Sequence, residues 1–377
     1  MTQSKAAPKG GLEGVAAADS AIGKINGRAG ELRYCGYLIT ELADHSDFLE
    51  TVYLLWHGEL PTEAEYNQLK VELCSHRAIP SEVLDLLRSI ADKQGPMDAL
   101  RTAASLLSIA DADVEASDRE SNLNRAVRMT AQFPTIVAAY DRLREGKEPI
   151  ESRSDLDHAA NFLYMLTGEE PDVEVAKMLD VCLVLHAEHG FNASTFAGRV
   201  TAATLSDMYS AICSAVGTLK GPLHGGANTA VMQTLLAIGS EDKVESYLDE
   251  ALARKDKIMG FGHRVYKVVD PRAIILRTFS QRMAEISGES KWFNMSVKLE
   301  ELMKSRKGID MNVDFYSAST YYSMGIKPDL FTTVFAVSRI SGWIAHILEQ
   351  LANNRLIRPR SNWVGPDPRG YVAIDQR

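Results

Sequence analysis

A histidine in a loop of glycine and proline is the first group in this chain with an evident capacity for chemistry. Residues 221 to 228 read Gly-Pro-Leu-His-Gly-Gly-Ala-Asn. His224 therefore stands on a backbone that cannot continue a helix and that allows a ligand to approach closely. The alternative interpretation is that this segment only ends the apolar helix before it and that His224 is a surface loop residue.

A second histidine lies in a loop that is rich in cations. Residues 260 to 267 read Gly-Phe-Gly-His-Arg-Val-Tyr-Lys, and Asp270-Pro-Arg272 follows. His263 beside glycine, with three cations in the next nine residues, suits a site that polarises a carbonyl near several negative charges. A solvated basic loop is the alternative.

An aspartate between apolar and aromatic neighbours is a candidate base. Residues 312 to 317 read Asn-Val-Asp-Phe-Tyr-Ser. Burial raises the pKa of a carboxylate toward the range in which it can deprotonate a weak carbon acid, provided that neighbouring donors hold it. Alternatively, Asp314 caps the N-terminus of a helix.

His186 and His189 are three residues apart and share one face of a predicted helix. A metal site is one interpretation, although the zinc-protease pattern places its histidines four residues apart with a glutamate after the first. The alternative is a pair of helix-end histidines that bind backbone groups.

Two arginines near the C-terminal end complete the set. Arg339 stands in an otherwise apolar helical run, where an arginine is seldom left unpaired, and Arg358 precedes a proline. Carbon-acid chemistry on a dicarboxylate needs a base, an acid for the enolate oxygen, a group that polarises a carbonyl, and anion clamps. Each requirement has a candidate among these residues.

Helices must position these groups, because helical periodicity dominates the chain from Phe48 onward. A capping box of Thr62 and Glu65 predicts a helix to about residue 76. Other helix starts are predicted at Ser81, Ser154 and Ser240, with Gly168 ending the helix that begins at Ser154. Long apolar helices are predicted over residues 197 to 219 and 331 to 351, the first of them central or at a subunit interface.

The remaining segments define the predicted domains. Asn26-Gly27 and Gly30 favour a small hairpin or extended arm within residues 11 to 37. Residues 225 to 324, which are richer in charge and in glycine loops, are predicted to form a smaller domain inserted into a large one of residues 1 to 224 and 325 to 377. We expect hinges near Gly221 and Gly325, disorder in residues 1 to 10, and an extended tail over residues 358 to 377.

Composition narrows the functional class. The 377 residues include 45% hydrophobic residues, enough for two cores, and the net charge of -9 disfavours nucleic acid or an anionic membrane as a partner. No apolar run approaches the roughly 20 residues of a membrane span, and the best candidate, residues 179 to 185, is broken by Asp180. With no secretory signal at the N-terminus, we expect a cytoplasmic protein. The four dispersed cysteines predict buried thiols rather than a zinc ribbon or a disulfide framework.

The chemical motifs, in this order and spacing, resemble those of the citrate synthase family from about Gly11 to the C-terminus. The shorter bacterial and archaeal members are resembled in Gly11-Leu-Glu-Gly14, Pro96-Met-Asp98, Phe191-Asn-Ala-Ser-Thr195 and Arg358-Pro-Arg360. The resemblance implies an all-α fold with a large helical domain and a smaller inserted helical domain. It also implies a homodimer whose active sites take residues from both subunits.

The resemblance assigns a role to each candidate residue. Asp314 would take a proton from the methyl group of acetyl-CoA while His224 hydrogen-bonds the thioester oxygen, and His263 would polarise and protonate the carbonyl of oxaloacetate. The oxaloacetate-binding residues would be His189, Arg272 and Arg339, with Arg358 supplied by the partner subunit, and Lys267 would lie near the CoA phosphates. No metal and no cofactor is implied, since acetyl-CoA is a substrate. Hydrolysis of the citryl thioester would make the reaction irreversible.

Several positions depart from the family pattern. Thr229 stands where relatives usually have glutamate, Cys35 and Leu38 replace an arginine and an aspartate, and Gly190 follows His189.

Three alternative functions stay open from sequence. They are 2-methylcitrate synthase, which uses propionyl-CoA with the same catalytic residues, a metal hydrolase built on His186 and His189, and a catalytically silent helical assembly protein.

Overall fold

The computed structural model describes residues 11, 12 and 14 to 377, and this part of the chain is almost wholly helical. The all-α prediction is therefore confirmed. The predicted disorder of residues 1 to 10 lies outside the described residues.

Helices occupy most of the chain between the N-terminal hairpin and the C-terminal tail. Their bounds are α1 Ile39–His45, α2 Phe48–His57, α3 Glu63–Ser75, α4 Ser81–Ile90, α5 Pro96–Leu106, α6 Arg119–Arg144, α7 His158–Thr167, α8 Val173–His186, α9 Ala193–Ala202, α10 Met208–Leu219, α11 Ala227–Ile238, α12 Val244–Ala253, α13 Pro271–Ser287, α14 Lys291–Lys307, α15 Val313–Ser323 and α16 Phe331–Ala352.

The predicted hairpin is present as a small antiparallel sheet of β1 (Gly23–Asn26), β2 (Glu31–Tyr34) and β3 (Tyr37–Leu38). Leu32 and Tyr34 of β2 are fully buried and alternate with partly exposed residues, as expected for a strand with one covered face. The Tyr34 hydroxyl donates to the carbonyl oxygens at the end of α8, 3.2 Å from that of Val184. This contact ties the sheet to the helix that precedes His189.

Helix boundaries follow the local caps. The capping box of Thr62 and Glu65 opens α3 as predicted, and α4 begins at Ser81. The start predicted at Ser154 is wrong, because Asp157 is the residue in the cap position and α7 begins at His158. Gly168, in the left-handed region at φ 89°, ends that helix as predicted.

The single helix predicted over residues 197 to 219 is also wrong. The segment forms α9 and α10, separated by a turn in which Leu205 has φ 65° and Asp207 caps the N-H of Ser210. The apolar pattern runs through the break because α9 and α10 pack on each other and on α16. At Ser240, the chain first forms one short 3-10 turn and α12 starts at Val244.

Helix α16 is the centre of the core, as the sequence predicted for its apolar face. It packs against α2, α6, α8, α9 and α10, and nearly all of its side chains are buried. Together with the turn before it, residues Pro328–Ala352 are long and apolar enough to span a membrane by composition, with a mean hydropathy of 1.3, but 94% of that window is buried within the protein. The helix predicted over residues 331 to 351 is therefore confirmed, but the prediction that no apolar stretch approaches the length of a membrane span was wrong.

The helices between Gly225 and Met324 pack largely on one another. Helix α15 contacts α11, α13 and α14, and α12 contacts α14. Helix α13 also reaches α1 and α8, and α11 reaches α16, so the two groups of helices meet. The domain boundaries themselves stay a prediction.

Candidate active site

A cavity of about 730 Å³ lies where the two groups of helices meet. Six of the eight predicted site residues line it, and they come from five separate segments of the chain: His189, His224, His263, Arg272, Asp314 and Arg339. Lys267 and Arg358 do not line this cavity. The packing of helices, rather than local structure, thus brings together residues that are up to 150 positions apart in the sequence.

His224 lies in the short connection between α10 and α11. Gly225 must be glycine, because a Cβ there would lie 2.1 Å from the carbonyl oxygen of Leu219. The Nε2 atom of His224 accepts the backbone N-H of Ser194 at 3.2 Å, and the Ser194 hydroxyl lies 2.7 Å away. Since a backbone amide can only donate, Nε2 is unprotonated and the neutral ring carries its proton on Nδ1.

The charge state of His224 agrees with this tautomer. Burial, and next the nearby charges of Arg339 and Arg264, lower the pKa of His224 to about 4. The ring is therefore neutral at pH 7 and offers one N-H donor to a group in the cavity.

His263 has the opposite tautomer. Its Nδ1 atom accepts the backbone N-H groups of Val265 at 3.0 Å and Tyr266 at 3.2 Å, so the neutral ring carries its proton on Nε2. Burial and the charge of Arg272 lower the pKa of His263. This histidine is also a neutral N-H donor, which suits the polarisation of a carbonyl oxygen.

The loop of His263 is fastened to the start of α15. Gly260, at φ 85°, leaves no room for a side chain because a Cβ would lie 2.7 Å from Val231 and 2.8 Å from Phe315. Asn312 donates its backbone N-H to the Gly260 carbonyl and its side-chain amide to the Gly262 carbonyl, both at 2.9 Å. These bonds fix His263 relative to Asp314, which is two residues after Asn312.

Asp314 is the second residue of α15 and is not its cap. The Asn312 side chain accepts the Asp314 N-H at 3.0 Å and caps the helix, so the alternative of a capping role for Asp314 is wrong. Burial is the largest influence and raises the pKa of the Asp314 carboxyl to about 6, although Arg272 and Arg339 act in the other direction. A carboxylate of this strength can accept a proton at neutral pH.

Two buried arginines provide positive charge beside the acid-base groups. Arg272 is 2% exposed and forms a bidentate pair with Asp270, at 2.8 and 3.0 Å. Arg339 is 1% exposed, donates Nε to the His186 carbonyl at 2.6 Å, and lies 4.5 Å from the centre of the Phe335 ring. Burial lowers the pKa of Arg339 to about 10, so it is still a cation at neutral pH.

His189 lies between these groups and His263. Its ring centre is 5.3 Å from that of His263, and its Nε2 is 3.3 Å from the Tyr266 hydroxyl. Burial, followed by the charges of Arg272 and Arg339, lowers its pKa well below the usual value. The cavity thus holds three neutral imidazoles and one weak carboxylic acid, with the two buried arginines beside them.

The two histidines of the H-x-x-H segment have separate surroundings. His186 is fully buried, with Nδ1 2.7 Å from the Cys182 carbonyl and its ring against Phe335, whereas only His189 lines the cavity. Within the described part of the chain, no three His, Cys, Asp or Glu side chains are grouped so that they could hold a metal ion.

Arg358 lies in the extended segment after α16. It lines a second cleft of about 560 Å³ together with residues of the N-terminal segment, among them Leu12 and Val15, which also line the first cavity. Lys267 is exposed; its Nζ donates to the Arg264 carbonyl at 3.3 Å and its backbone N-H to Gly27 at 2.8 Å. Arg264 itself reaches the cavity.

Sequence reasoning missed the residues that hold the site residues in place. Ser194, Tyr266, Asp270 and the pinning role of Asn312 were not assigned, although each lies in a motif noted from sequence. The pattern Asp-Pro-Arg at 270 to 272 carried a usable signal, because an aspartate before proline caps a helix and faces the first turn. The partners of His224 and His263 depend on tertiary packing and left no such signal.

Comparison with known proteins agrees with this geometry. The family model described as citrate synthase, C-terminal domain, matches residues 11 to 360. The chain is 51% identical to a citrate synthase of Haloferax volcanii over 98% of this chain and 99% of that protein. It is 39% identical to a 2-methylcitrate synthase of Shewanella oneidensis over the full length of both.

A solved structure gives the same result. The citrate synthase of Thermoplasma acidophilum, in ternary complex with carboxymethyl coenzyme A and oxaloacetate, superposes with a TM-score of 0.91 at 32% identity, over 97% of this chain and 98% of that one. The fold and the cavity define a helical enzyme that transfers an acyl group, rather than a silent assembly protein. The chain belongs to the citrate synthase family.

Proposed function

We propose that this enzyme condenses acetyl-CoA with oxaloacetate and hydrolyses the resulting thioester to citrate and CoA, as a step of the tricarboxylic acid cycle. The observation that carries the proposal is that one weak carboxylic acid and two neutral imidazoles of opposite tautomer line one cavity. Enolisation of a thioester and attack on a ketone require one base and two separate N-H donors.

The condensation begins at the methyl group of acetyl-CoA. The Asp314 carboxylate takes a proton from this carbon while Nδ1-H of His224 donates to the thioester oxygen, where negative charge develops. The resulting enol or enolate attacks the ketone carbon of oxaloacetate. Nε2-H of His263 donates to the ketone oxygen, which becomes the hydroxyl of citryl-CoA, and water then cleaves the thioester.

Arg272, Arg339 and His189 bind the carboxylates of oxaloacetate in this proposal. Arginine suits the role because its planar fork matches a carboxylate and keeps its charge at neutral pH. Lys267 would act at the CoA phosphates, and the exposed Arg264 beside it adds a second cation near the mouth of the cavity. We propose no metal and no cofactor.

The assembly, compartment and domains are part of the same proposal. The tail exposes Trp363, Val364, Tyr371 and Ile374 at 80% or more, which supports a homodimer in which a second copy covers them. Residues 225 to 324 would move as a small domain against the rest, and the protein would be cytoplasmic. Closure would then form the acyl-CoA site after oxaloacetate binds.

The direct test is release of free CoA. The purified enzyme should release CoA from acetyl-CoA only when oxaloacetate is present, and no added metal should be needed. Parallel steady-state kinetics with propionyl-CoA test the 2-methylcitrate alternative, since one methylene is worth only about 1–3 kcal/mol in an apolar pocket. An enzyme inert with both thioesters, or silenced by a chelator, would overturn the proposal.

The pH dependence provides a second prediction. Asp314 must be ionised to act as the base, so kcat/KM for acetyl-CoA should fall as pH drops through about 6 and level off above it. The measurement is a pH profile at saturating oxaloacetate. A flat profile between about pH 5 and about pH 7 would contradict the assignment of Asp314 as a base with a raised pKa.

A further inference from the structure

A line of charged groups lies beside the turn that carries His189. Glu188 and His346 have fully buried side chains, and Oε1 of Glu188 lies 3.0 Å from Nε2 of His346. Buried charges are costly to keep unless they are paired. None of the residues assigned to the reaction above explains this pair.

The other side of His346 is also charged. Arg199, 3% exposed, donates Nη1 to Glu349 Oε2 at 2.7 Å and to the His346 carbonyl at 3.1 Å. Nδ1 of His346 lies 3.3 Å from Arg199 Nη1 and 3.8 Å from Glu349 Oε2. Burial alone would lower the pKa of His346, but Glu188 and Glu349 outweigh it and the pKa is raised. In either charge state Nε2-H can donate to Glu188.

Glu188 connects this line to the site residues. Its Oε1 atom also accepts the N-H of Gly190, and the bond closes the turn that carries His189. Gly190 is in the left-handed region at φ 60°, so this turn depends on its hydrogen bonds for its shape. The Glu188 N-H in turn donates to the Tyr34 hydroxyl at 3.2 Å.

The second carboxylate oxygen of Glu188 faces α16. Arg339, Gly342 and His346 lie at i, i+3 and i+7 and share one face of that helix. Gly342 leaves space for the carboxylate, since a Cβ there would lie 2.8 Å from Oε2. Oε2 is buried and has no hydrogen-bond partner among the residues that the structure describes. Its charge stabilises the buried cation of Arg339, whose pKa burial lowers to about 10.

We propose that His346 and Glu188 are positioning residues for oxaloacetate: His346 holds the Glu188 carboxylate, which fixes the His189 turn and balances the charge of Arg339. This inference rests on the proposed function for the identity of the ligand. Its consequence is that His346, which does not line the cavity, controls how tightly oxaloacetate binds.

Two substitutions at His346 separate the hydrogen bond from the packing. In His346→Leu, Glu188 loses its side-chain donor and keeps only the N-H of Gly190, so the buried carboxylate can shift toward Arg339 and release the His189 turn. We expect Kd and KM for oxaloacetate to rise about tenfold or more, with less than about threefold change in kcat at saturating substrates. In His346→Gln, the side-chain amide can still donate toward Glu188, and most of the affinity should return.

The matched control is Asp111→Asn. Asp111 is also a buried carboxylate, bound to Arg125 at 2.7 Å and Arg128 at 3.0 Å, but it does not line the cavity. This variant should lower the thermal midpoint and leave oxaloacetate affinity unchanged. It thereby separates loss of stability from loss of positioning.

Binding is measured by calorimetry with oxaloacetate alone, and KM by CoA release. A Kd for His346→Leu within about twofold of the wild type, or a Gln variant no tighter than the Leu variant, would overturn the inference. A wild-type protein that binds oxaloacetate but releases no CoA would instead overturn the proposed function, while the affinities of the His346 variants would still test the inference.

Discussion

Asp314→Asn should reduce turnover by about 10²- to 10⁴-fold, the usual contribution of a general base. Asparagine keeps the shape of the side chain but cannot accept the methyl proton of acetyl-CoA. In the proposed mechanism other residues bind oxaloacetate, so its Kd should stay close to that of the wild type. The measurements are kcat from CoA release and Kd from calorimetry.

The thermal midpoint distinguishes loss of the base from loss of folding. The folded pKa of Asp314, about 6, lies above the ordinary value of about 3.9 for an unfolded chain. The native state therefore binds more protons than the unfolded state between these values, and stability falls as pH rises through that window. At pH 7 the asparagine variant removes the loss of stability that comes from ionising this buried carboxyl. Its thermal midpoint should therefore equal or exceed that of the wild type.

Asp310→Asn is the matched control, because Asp310 precedes the same helix but pairs with Lys304 away from the cavity. It should keep near-normal turnover and the same pH profile. If Asp314→Asn retained near-normal turnover, another group would have to be the base.

The sequence pointed to residues that line one cavity because these residues lie in local patterns. His224 and His263 stand in glycine loops, and Asp314 stands at the start of a helix, so short windows carried the signal. The helix class was also predictable, since apolar periodicity and capping residues such as Thr62 act locally. The roles, however, came from the family resemblance.

What sequence could not predict depends on packing between distant elements. The tautomers of His224 and His263 are set by backbone amides at Ser194, Val265 and Tyr266, and nothing in a single window indicates those contacts. The break at Leu205 was missed because two helices that bury faces on the same partner give one continuous apolar pattern. Glu188 could not be predicted as a positioning residue for a similar reason, because its partner His346 is 158 residues away in the sequence.

The second prediction with a large expected effect on activity concerns Arg358 in the C-terminal tail, residues 358 to 377. Arg358 is exposed and, in its own chain, lines the second cleft and not the cavity that contains Asp314. The exposed aromatic and apolar residues that follow it support a tail that lies on another copy of the chain. In a twofold dimer such an exchange is reciprocal, so each site would combine Asp314 of one subunit with Arg358 of the partner subunit.

This arrangement allows complementation between two inactive variants. In the proposed dimer, Arg358→Ala would remove a carboxylate clamp from the neighbouring site and Asp314→Ala would remove the base from its own, so each homodimer should be nearly inactive. In a mixed dimer, one site carries both lesions and the other carries none. Mixed dimers purified through two different affinity tags should therefore regain about half of the wild-type activity per dimer. Arg369→Ala, a change of another exposed tail arginine, serves as the control and should leave its homodimer active.

The opposite geometry gives the opposite result. If Arg358 served the site of its own chain, both sites of the mixed dimer would carry one lesion, and mixing would restore no activity. That outcome, with the mixed dimer confirmed by mass, would exclude the shared site and leave the role of Asp314 untouched. Restoration, in contrast, requires that the carboxylate clamp and the base come from different chains. The second cleft of one subunit would then be only the path along which the tail leaves toward its partner.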